Sequence, residues 1–493
     1  MTHNRILLLA LFVSAIATAS FAQTPYDALR FSFYSEPGGT ARSVGVGGGI
    51  GALGADFYTL SSNPAGMASY RRSEFSFSPE IYTIDTKTLL VGNDLNELLS
   101  EDRSSLNINN VGFVVVSRPT ASSWKTVNFG IGLNRIATFT QSLYFAGASP
   151  GSITHRFVNN ANGQAAEELD SFEEGLAYDV GAIFPDSDNP ETYLNDFGPL
   201  EEVNKSQVVR SRGSISEMVF TLAGNYEEKL QIGATIGVPF LSFSEDKTYR
   251  ETDEDELNPV FNELIYEENV RLTGTGINLK LGMIYKPIHA IRIGAAFHTP
   301  TSFSIDDSYS TSMTYDYTFE GNNRFEDSSP EGFFEYRLRT PWRVQGSAGV
   351  LFQKFAFFCA EVEWADYSSA AFNFNQTSDP ADLDYERDLN RQIAANYQSS
   401  FIVRLGGEIA IDIFRIRGGY NMINSPYASE SYTRGVFSAG FGVREENFFL
   451  DLAYRRSITD AGYFPYESTP ELQPEVETKT LAQHFLLTLG FKL

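Results

Sequence analysis

The chain has 493 residues, a formal net charge of −25 at pH 7 and a single cysteine, Cys359. This acidic balance argues against nucleic acid or any other polyanion as a partner, and one cysteine excludes an intramolecular disulfide framework. No part of the sequence approaches the roughly 18 uninterrupted apolar residues of a membrane-spanning helix, which excludes a helical membrane protein.

The first 22 residues have the three parts of a secretory signal peptide. Arg5 supplies a positive charge, an apolar run extends from Ile6 to Val13, and the small residues Ser20 and Ala22 occupy the −3 and −1 positions of a cleavage site. We therefore expect residues 1–22 to be a signal peptide that is cleaved after Ala22.

Residues 23–72 show no strand-like alternation and contain a glycine-rich run between Gly38 and Gly54. A phosphate-binding loop would need a Lys-Ser or Lys-Thr pair after the glycines and a strand before them, and this sequence has neither. Glycine also permits close backbone packing in a confined space. The sequence therefore predicts that residues 23–72 form an N-terminal hatch that folds back to plug a lumen.

Residues 73–493 predict an all-β protein, a transmembrane antiparallel β-barrel of about 14 strands. In one strand Val127, Phe129, Ile131 and Leu133 share a face, and small or polar residues share the other. Such alternation, repeated with one apolar face and almost no helical periodicity, is typical of a barrel in lipid. The predicted strands are 74–83, 105–118, 125–140, 207–226, 229–249, 265–286, 289–302, 336–352, 355–374, 400–411, 414–423, 433–444, 448–456 and 482–493.

The predicted connections alternate between short turns and long acidic loops. The seven long segments hold 42 of the 62 acidic residues but only 9 of the 37 basic residues. We expect the long loops to lie outside a Gram-negative outer membrane and the short turns in the periplasm. The acidic loops either bind divalent cations that bridge lipopolysaccharide or form an ordinary solvated surface. The long segments are 84–104, 141–206, 250–264, 303–335, 375–399, 424–432 and 457–480.

The two faces of the predicted strands differ in polarity. Ile232, Ile236 and Ile277 are examples of the outward, lipid-facing phase, whereas the opposite phase carries charges that need a wet or plugged lumen. Inward charges either brace the wall by pairing or contact a ligand, and both interpretations stay open. The lumen-facing candidates are Lys280, Arg292, His298, Glu361, Glu363, Arg404, Glu408, Arg415 and Arg417.

Three stretches of the sequence resemble a known family. The sequence Asn63-Pro-Ala-Gly66, preceded by Gly51-Ala-Leu-Gly-Ala-Asp-Phe57 and followed by the first strand, resembles the N-terminal hatch of the FadL/TodX family of outer-membrane transporters of hydrophobic compounds. The hairpin around Leu281–Pro287 and Ile291–Pro300, and Thr340-Pro-Trp-Arg343 before Glu361–Tyr367, are also similar to that family.

The resemblance implies a function and a set of hatch residues. It implies a monomeric barrel without cofactor or metal that takes up long-chain fatty acids or aromatic hydrocarbons by passive diffusion. Movement of the hatch would open the route, in the best-understood members laterally through the barrel wall. Asn63, Pro64, Ala65 and Gly66 are the residues carried over as hatch and gating residues.

The family's ligand pocket cannot be carried over, because the loop 141–206 has no motif that matches. Its apolar residues either form a ligand site or pack the loop itself. They are Phe145, Phe157, Phe172, Leu176 and Phe184.

Three other functions were weighed. An outer-membrane phospholipase needs a Ser–His pair on the lipid face, and His155, His289, His298 and His484 all lie in loops, in turns or on the inward phase, so we predict no enzyme. A haem uptake receptor would need an axial ligand such as His298 or a tyrosine. A barrel that acts as a secretion-system or surface interaction protein is permitted by the long acidic loops.

Overall fold

The computed structural model describes residues 23–493 except 37, 121, 199, 254–257, 320 and 375–378. The predicted signal peptide, residues 1–22, lies outside the described residues. The strands of the described part are β1 (Glu74–Leu90), β2 (Leu99–Ser117), β3 (Trp124–Thr138), β4 (Gln141–Pro150), β5 (Phe184–Pro185), β6 (Tyr193–Leu194), β7 (Glu202–Tyr226), β8 (Leu230–Thr252), β9 (Phe261–Ile288), β10 (Ile291–His298), β11 (Ser302–Thr318), β12 (Asn322–Ser328), β13 (Gly332–Arg339), β14 (Arg343–Phe352), β15 (Ala356–Asp366), β16 (Ala371–Asn373), β17 (Ser399–Ile411), β18 (Phe414–Asn424), β19 (Thr433–Arg444), β20 (Phe448–Tyr463) and β21 (Val476–Lys492).

Helices are short and lie outside the barrel strands. Among the described residues, no helix is both long and apolar enough to cross a bilayer. The α-helices are α1 (Pro25–Arg30), α2 (Ala41–Gly45), α3 (Thr154–Ala161), α4 (Glu174–Asp179) and α5 (Pro380–Asn396), and the 3₁₀ helices are Phe57–Leu60, Pro64–Ser69, Ala166–Glu168 and Tyr367–Ser369.

Nineteen of the described strands form one antiparallel sheet that closes on itself. β1 pairs with β2 on one side and with β21 on the other, and Glu74 lies opposite Lys492 where the ring closes. Four wall strands each consist of two consecutive segments, which are β3 with β4, β10 with β11, β13 with β14, and β15 with β16. β12 extends the hairpin of β11. Counted in this way, the described part of the chain forms a barrel of 14 strands, which confirms the predicted number and antiparallel order.

Two of the four interruptions contain proline. β10 stops before Thr299-Pro300, and β13 stops before Thr340-Pro341. Proline has no N–H to donate to the ladder and therefore ends regular pairing. The wall strands resume after each break.

The two ends of the barrel differ as predicted. Connections of two to six residues join β2 to β3, β7 to β8, β9 to β10, β14 to β15, β17 to β18 and β19 to β20. We call this the short-turn end, and Glu74 and Lys492 lie there as well. The opposite, long-loop end carries α3 to α5 and the paired strands β5 and β6.

Several wall strands extend farther toward the long-loop end than the sequence predicted. Most of 84–104 and of 303–335, and half of 457–480, is strand rather than loop, and α5 lies within the predicted loop 375–399. The prediction was wrong there because it relied on apolar alternation. Above the apolar band both faces of a strand meet polar surroundings, so the alternation ends although the backbone ladder continues.

The predicted phase of the strands agrees with their burial. The outward residues Ile236 and Ile277 are 50% and 60% exposed, whereas Thr235 and Lys280 on the opposite phase are 0% and 6% exposed. The outer surface is therefore an apolar band and the interior is polar.

The interior is filled by the N-terminal segment, residues 23–73. Its α1, its α2 and its two 3₁₀ helices are connected by turns, and three of the four have a side-chain N-cap, from Thr40, Asp56 and Asn63. Hydrogen bonds join the segment to many parts of the ring, for example from Ala41 N to Thr488 Oγ1 (2.7 Å) and from Gly51 N to Glu361 Oε2 (3.1 Å). The segment therefore lies across the lumen.

Candidate functional site

The motif Asn63-Pro64-Ala65-Gly66 lies directly against the wall. Asn63 Nδ2 donates to Gly51 O (2.7 Å) and to Met283 O (3.3 Å), and Asn63 Oδ1 accepts from Ala65 N (3.2 Å). Gly66 N donates to Asn63 O (2.9 Å), which completes the 3₁₀ turn. One asparagine side chain therefore joins two parts of the segment to β9.

Glycines in the wall make this close approach possible. A Cβ on Gly233 of β8 would lie 2.5 Å from the carbonyl carbon of Pro64 and 2.8 Å from Ala65 N. The same holds on other strands, where glycines on the inward phase face backbone or side-chain atoms of the segment. These positions are Gly112, Gly130, Gly132, Gly282, Gly294, Gly406 and Gly419.

Four groups of buried charges connect the wall to the segment. In the first, Lys280 pairs with Glu217, and Glu217 Oε2 accepts from Ser61 Oγ of the segment (2.9 Å). His298 Nε2 lies 2.6 Å from Ser62 O, within hydrogen-bonding distance. A cavity of about 50 Å³ beside His298 is far too small for haem. His298 therefore holds the segment instead of facing a haem-sized space.

The second group lies on β14, β15 and β17. Arg404 Nη1 donates to Glu361 Oε1 (3.1 Å) and to Glu363 Oε2 (2.9 Å), and Arg343 lies 3.5 Å from Glu363. Glu361 also accepts from Gly51 N of the segment. These wall charges neutralise one another, and one of them binds the segment backbone.

The third group lies near the short-turn end. Arg417 pairs with Glu408 (2.6 Å) and with Asp451 (2.7 Å), and Arg42 of the segment approaches Glu408 and Asp56 to 3.9 Å each. Arg292 donates to Leu53 O of the segment. Arg415 shares the inward phase but lies at the rim, where its Nη1 donates to the turn carbonyls of Asp412 and Phe414.

The fourth group is formed around Glu36 of the segment. Arg434 approaches Glu36 to 3.0 Å and Arg455 to 3.5 Å, and His484 lies between Glu36 and Glu80. Burial opposes ionisation, but the neighbouring Arg434, Arg455 and His484 outweigh it and hold the pKa of Glu36 below its ordinary value. Glu36 is therefore an ionised anchor.

An inner cavity of about 380 Å³ lies between the N-terminal segment and the wall strands. Its walls are α1, residues 33–36, Gly38, the end of β3 and the inward faces of β1, β19, β20 and β21. Tyr82, Ile84 and Ile136 give it apolar surface, and the Glu36 group gives it a polar side. A chain-like or aromatic molecule of moderate size fits such a volume.

A second, outer cavity of about 920 Å³ lies toward the long-loop end. It is lined by Leu143, Phe157, Phe172, Tyr249 and Tyr266 among other residues of the loop and the strand tops. Of the loop residues named from the sequence, Phe157 and Phe172 line this cavity. Phe145 and Leu176 are buried in the core of the loop, and Phe184 is partly exposed on β5.

The backbone hydrogen-bond ladder of the wall is interrupted beside the inner cavity. β2 pairs with β3 only from Asn110 opposite Asn134 to Ser117 opposite Val127, and among the described residues 99–108 pair with β1 alone. β3 continues along β7 with a bulge between Arg135 and Ala137, which bends it away from β2. The gap that results is bordered by lining residues of the inner cavity, Asn109 and 135–141.

The sequence indicated only part of this site. It identified the Asn63 motif and the inward charges of the later strands, but it missed Glu217, Arg343 and Asp451 on the wall and Glu36 and Arg42 in the segment. Glycines that recur on the inward phase of several strands could have indicated that the segment packs closely against the wall. A lumen filled only by side chains of the wall does not need such glycines.

Comparison with known proteins gives a match in structure only. No family model matches the chain. No curated protein matches it either. The structure is similar to the crystal structure of a Pseudomonas aeruginosa FadL homologue, with a TM-score of 0.56, 12% identity, and coverage of 93% of this chain and 99% of that one. It is also similar to the Pseudomonas putida toluene transporter TodX, with a TM-score of 0.56, 13% identity, and coverage of 92% and 99%. At this identity the likeness shows the fold, and the chain has the fold of the FadL and TodX barrels.

Proposed function

We propose that this protein is an outer-membrane channel for the uptake of hydrophobic small molecules by a Gram-negative cell. The apolar outer band needs lipid around it, and the closed ring of strands pairs the backbone groups that lie in lipid, except at the gap between β2 and β3. The ring closes through β1 and β21 and needs no partner strand, so we propose a monomer.

In this proposal residues 23–72 are the hatch that keeps the channel from leaking. Support comes from the position of the segment across the lumen and from its bonds to wall strands on all sides. The Asn63 motif and the paired wall charges then act mainly as bracing. The ligand contacts lie above them, in the two cavities.

The observation that carries the proposal is that the inner cavity ends at the gap between β2 and β3. A hydrophobic molecule captured in the outer cavity would pass into the inner cavity and leave sideways into the membrane. A lateral exit keeps an apolar molecule out of water. It also leaves in place the lower hatch, which is the part of the hatch around Ala52 and the Asn63 motif. Both structural relatives described above carry names of hydrophobic-compound transporters or their homologues.

A blocking substitution tests the lateral exit. Ala137 lines the inner cavity at the gap, so Ala137→Trp should lower the uptake of radiolabelled toluene or oleate by cells several-fold. Val115→Trp is the matched control, because Val115 faces outward where β2 and β3 are fully paired opposite Phe129. Equal uptake by the two variants would contradict the lateral exit.

A tether tests whether the lower hatch must move. A Cβ on Gly349 of β14 would lie 3.9 Å from Ala52 Cβ, which suits a disulfide. Ala52→Cys with Gly349→Cys needs the background Cys359→Ala, because Cys359 lies opposite Gly349. Uptake should be the same with the tether oxidised or reduced. Loss of uptake only on oxidation would place the route through the floor of the barrel, and uptake no greater than in cells without the protein would refute transport.

A further inference from the structure

The outer and inner cavities touch at a thin partition. Seven residues line both cavities, so they form the wall between them. They are Tyr26, Arg30, Gln141, Ser211, Phe243, Glu245 and Tyr427. Any molecule that passes from the outer to the inner cavity must pass between these side chains.

At the centre of the partition, Arg30 is stacked between two aromatic rings. Its guanidinium carbon lies 4.7 Å from the ring centre of Tyr26 and 4.5 Å from that of Phe243. Both distances are within the range of cation–π attraction. The guanidinium group and the two rings together close the passage.

The charge of Arg30 is already neutralised. Asp27 lies 3.3 Å from one guanidinium nitrogen and Glu245 lies 3.7 Å from another. Lys247 lies 3.8 Å from Glu245 on the outer-cavity side. Because opposite charges balance locally, this cluster favours a closing contact over the capture of an anion.

The two halves of the stack belong to different parts of the molecule. Tyr26 and Arg30 lie on the six-residue helix α1 of the hatch, whereas Phe243 lies on β8 of the wall. Parting the stack therefore requires only rotation of side chains or a small shift of α1. It breaks none of the barrel's backbone hydrogen bonds.

We propose that the Tyr26–Arg30–Phe243 stack is an inner gate, and that Arg30 decides how readily a molecule passes from the outer to the inner cavity. This inference rests on the proposed function. An apolar chain or an aromatic ring opens the gate by taking the place of one of the two aromatic rings in the stack. The gate works independently of the lower hatch, which the Asn63 motif holds in place.

Cysteine accessibility tests the gate without any hydrophobic ligand. In the background Cys359→Ala, one protein carries Ile136→Cys in the inner cavity and another carries Val209→Cys in the outer cavity. A cationic, water-soluble methanethiosulfonate is applied outside intact cells. Its charge keeps it out of lipid, so the β2–β3 gap is no route for it, and Lys229→Cys in a short turn reports any reagent that reaches the periplasm.

Opening the gate should accelerate only the reaction of the methanethiosulfonate with the inner-cavity cysteine. Arg30→Ala should raise the rate at the inner cysteine at least about tenfold, the equivalent of one lost cation–π contact, and leave the outer rate unchanged. Tyr26→Ala should do the same while it leaves both ion pairs of Arg30 intact. Tyr309→Ala is the matched control, because Tyr309 lines the outer cavity but not the partition.

An unchanged inner rate in both Arg30→Ala and Tyr26→Ala would overturn the gate, and so would an equal acceleration by Tyr309→Ala. An unchanged outer rate shows that each variant is folded. Since uptake of toluene or oleate is measured separately, an open gate without uptake would refute the proposed transport and leave the gate standing.

Discussion

Replacing Gly233 with alanine should undock the N-terminal segment from the wall without weakening the barrel. The new Cβ would lie 2.5 Å from the carbonyl carbon and 2.6 Å from the oxygen of Pro64, and 2.8 Å from Ala65 N, whereas ordinary contact begins at about 3.4 Å. All three are backbone atoms, so no side chain can rotate away. The Pro64–Ala65 backbone has to move by most of an ångström, and the bonds of Asn63 to Gly51 and Met283 lengthen with it.

The size of the effect follows from these contacts. Overpacking of this kind costs about 1–3 kcal/mol, and each weakened hydrogen bond adds about 1 kcal/mol. We expect a total near 3 kcal/mol, which is roughly a hundredfold larger undocked population. The stability of the barrel itself should not fall, because alanine suits a strand at least as well as glycine does.

Hydrogen exchange read by mass spectrometry provides the measurement. Amides of the segment 38–73 should exchange faster in Gly233→Ala, while amides of β8 and β9 stay protected. Gly346→Ala is the matched control, since Gly346 faces outward and a Cβ there meets no described atom within 4 Å. Equal exchange of the segment in the two variants would refute the argument that wall glycines exist to seat the hatch.

Three further predictions concern the wall and its charges. Ile236→Arg should lower the unfolding free energy of the barrel in lipid by about 2–4 kcal/mol, and an effect below 1 kcal/mol would mean that this face does not lie in lipid. Lys280→Met leaves Glu217 buried without its partner, so denaturant titration should show a loss of about 3–5 kcal/mol, most of it recovered when Glu217→Gln is added. Because the pKa of Glu36 is lowered in the docked state, its contribution to docking is complete above the ordinary glutamate pKa of about 4.3 and is lost as the pH falls through the lowered value. Exchange of the segment should accordingly rise only in acid, and Glu36→Gln should flatten that rise while speeding exchange at neutral pH.

The barrel was predictable from the sequence because lipid enforces one simple rule on every wall strand. Residues such as Ile236 and Ile277 had to be apolar, and their neighbours had to tolerate a polar interior. Their alternation gave the strand number, the phase and the short turns. Where lipid ends, the rule ends too, and the upper parts of β1 and β20 and nearly all of β11 were mistaken for loop.

The cavities and the gap were beyond prediction because no local pattern encodes them. The gap depends on a bulge at Ile136 and on where the β2–β3 pairing stops, and both are set by contacts distant in sequence. The partition likewise brings Arg30 against Phe243, more than two hundred residues later in the chain. A single sequence shows which residues are charged or aromatic but not which of them meet.

The enclosure of the segment constrains the order of assembly. Ala41 bonds to Thr488 on β21, and Glu36 O accepts from Arg455 on β20, so the N-terminal segment is held in part by the last two wall strands. These contacts cannot form until almost the whole chain has been made. The segment therefore stays unenclosed while roughly four hundred further residues are synthesised. It is enclosed when β21 pairs with β1. Contacts this distant in sequence make slow folding steps. A chain shortened at its C-terminus would therefore lose both the seam of the barrel and the contacts that anchor its N-terminal segment.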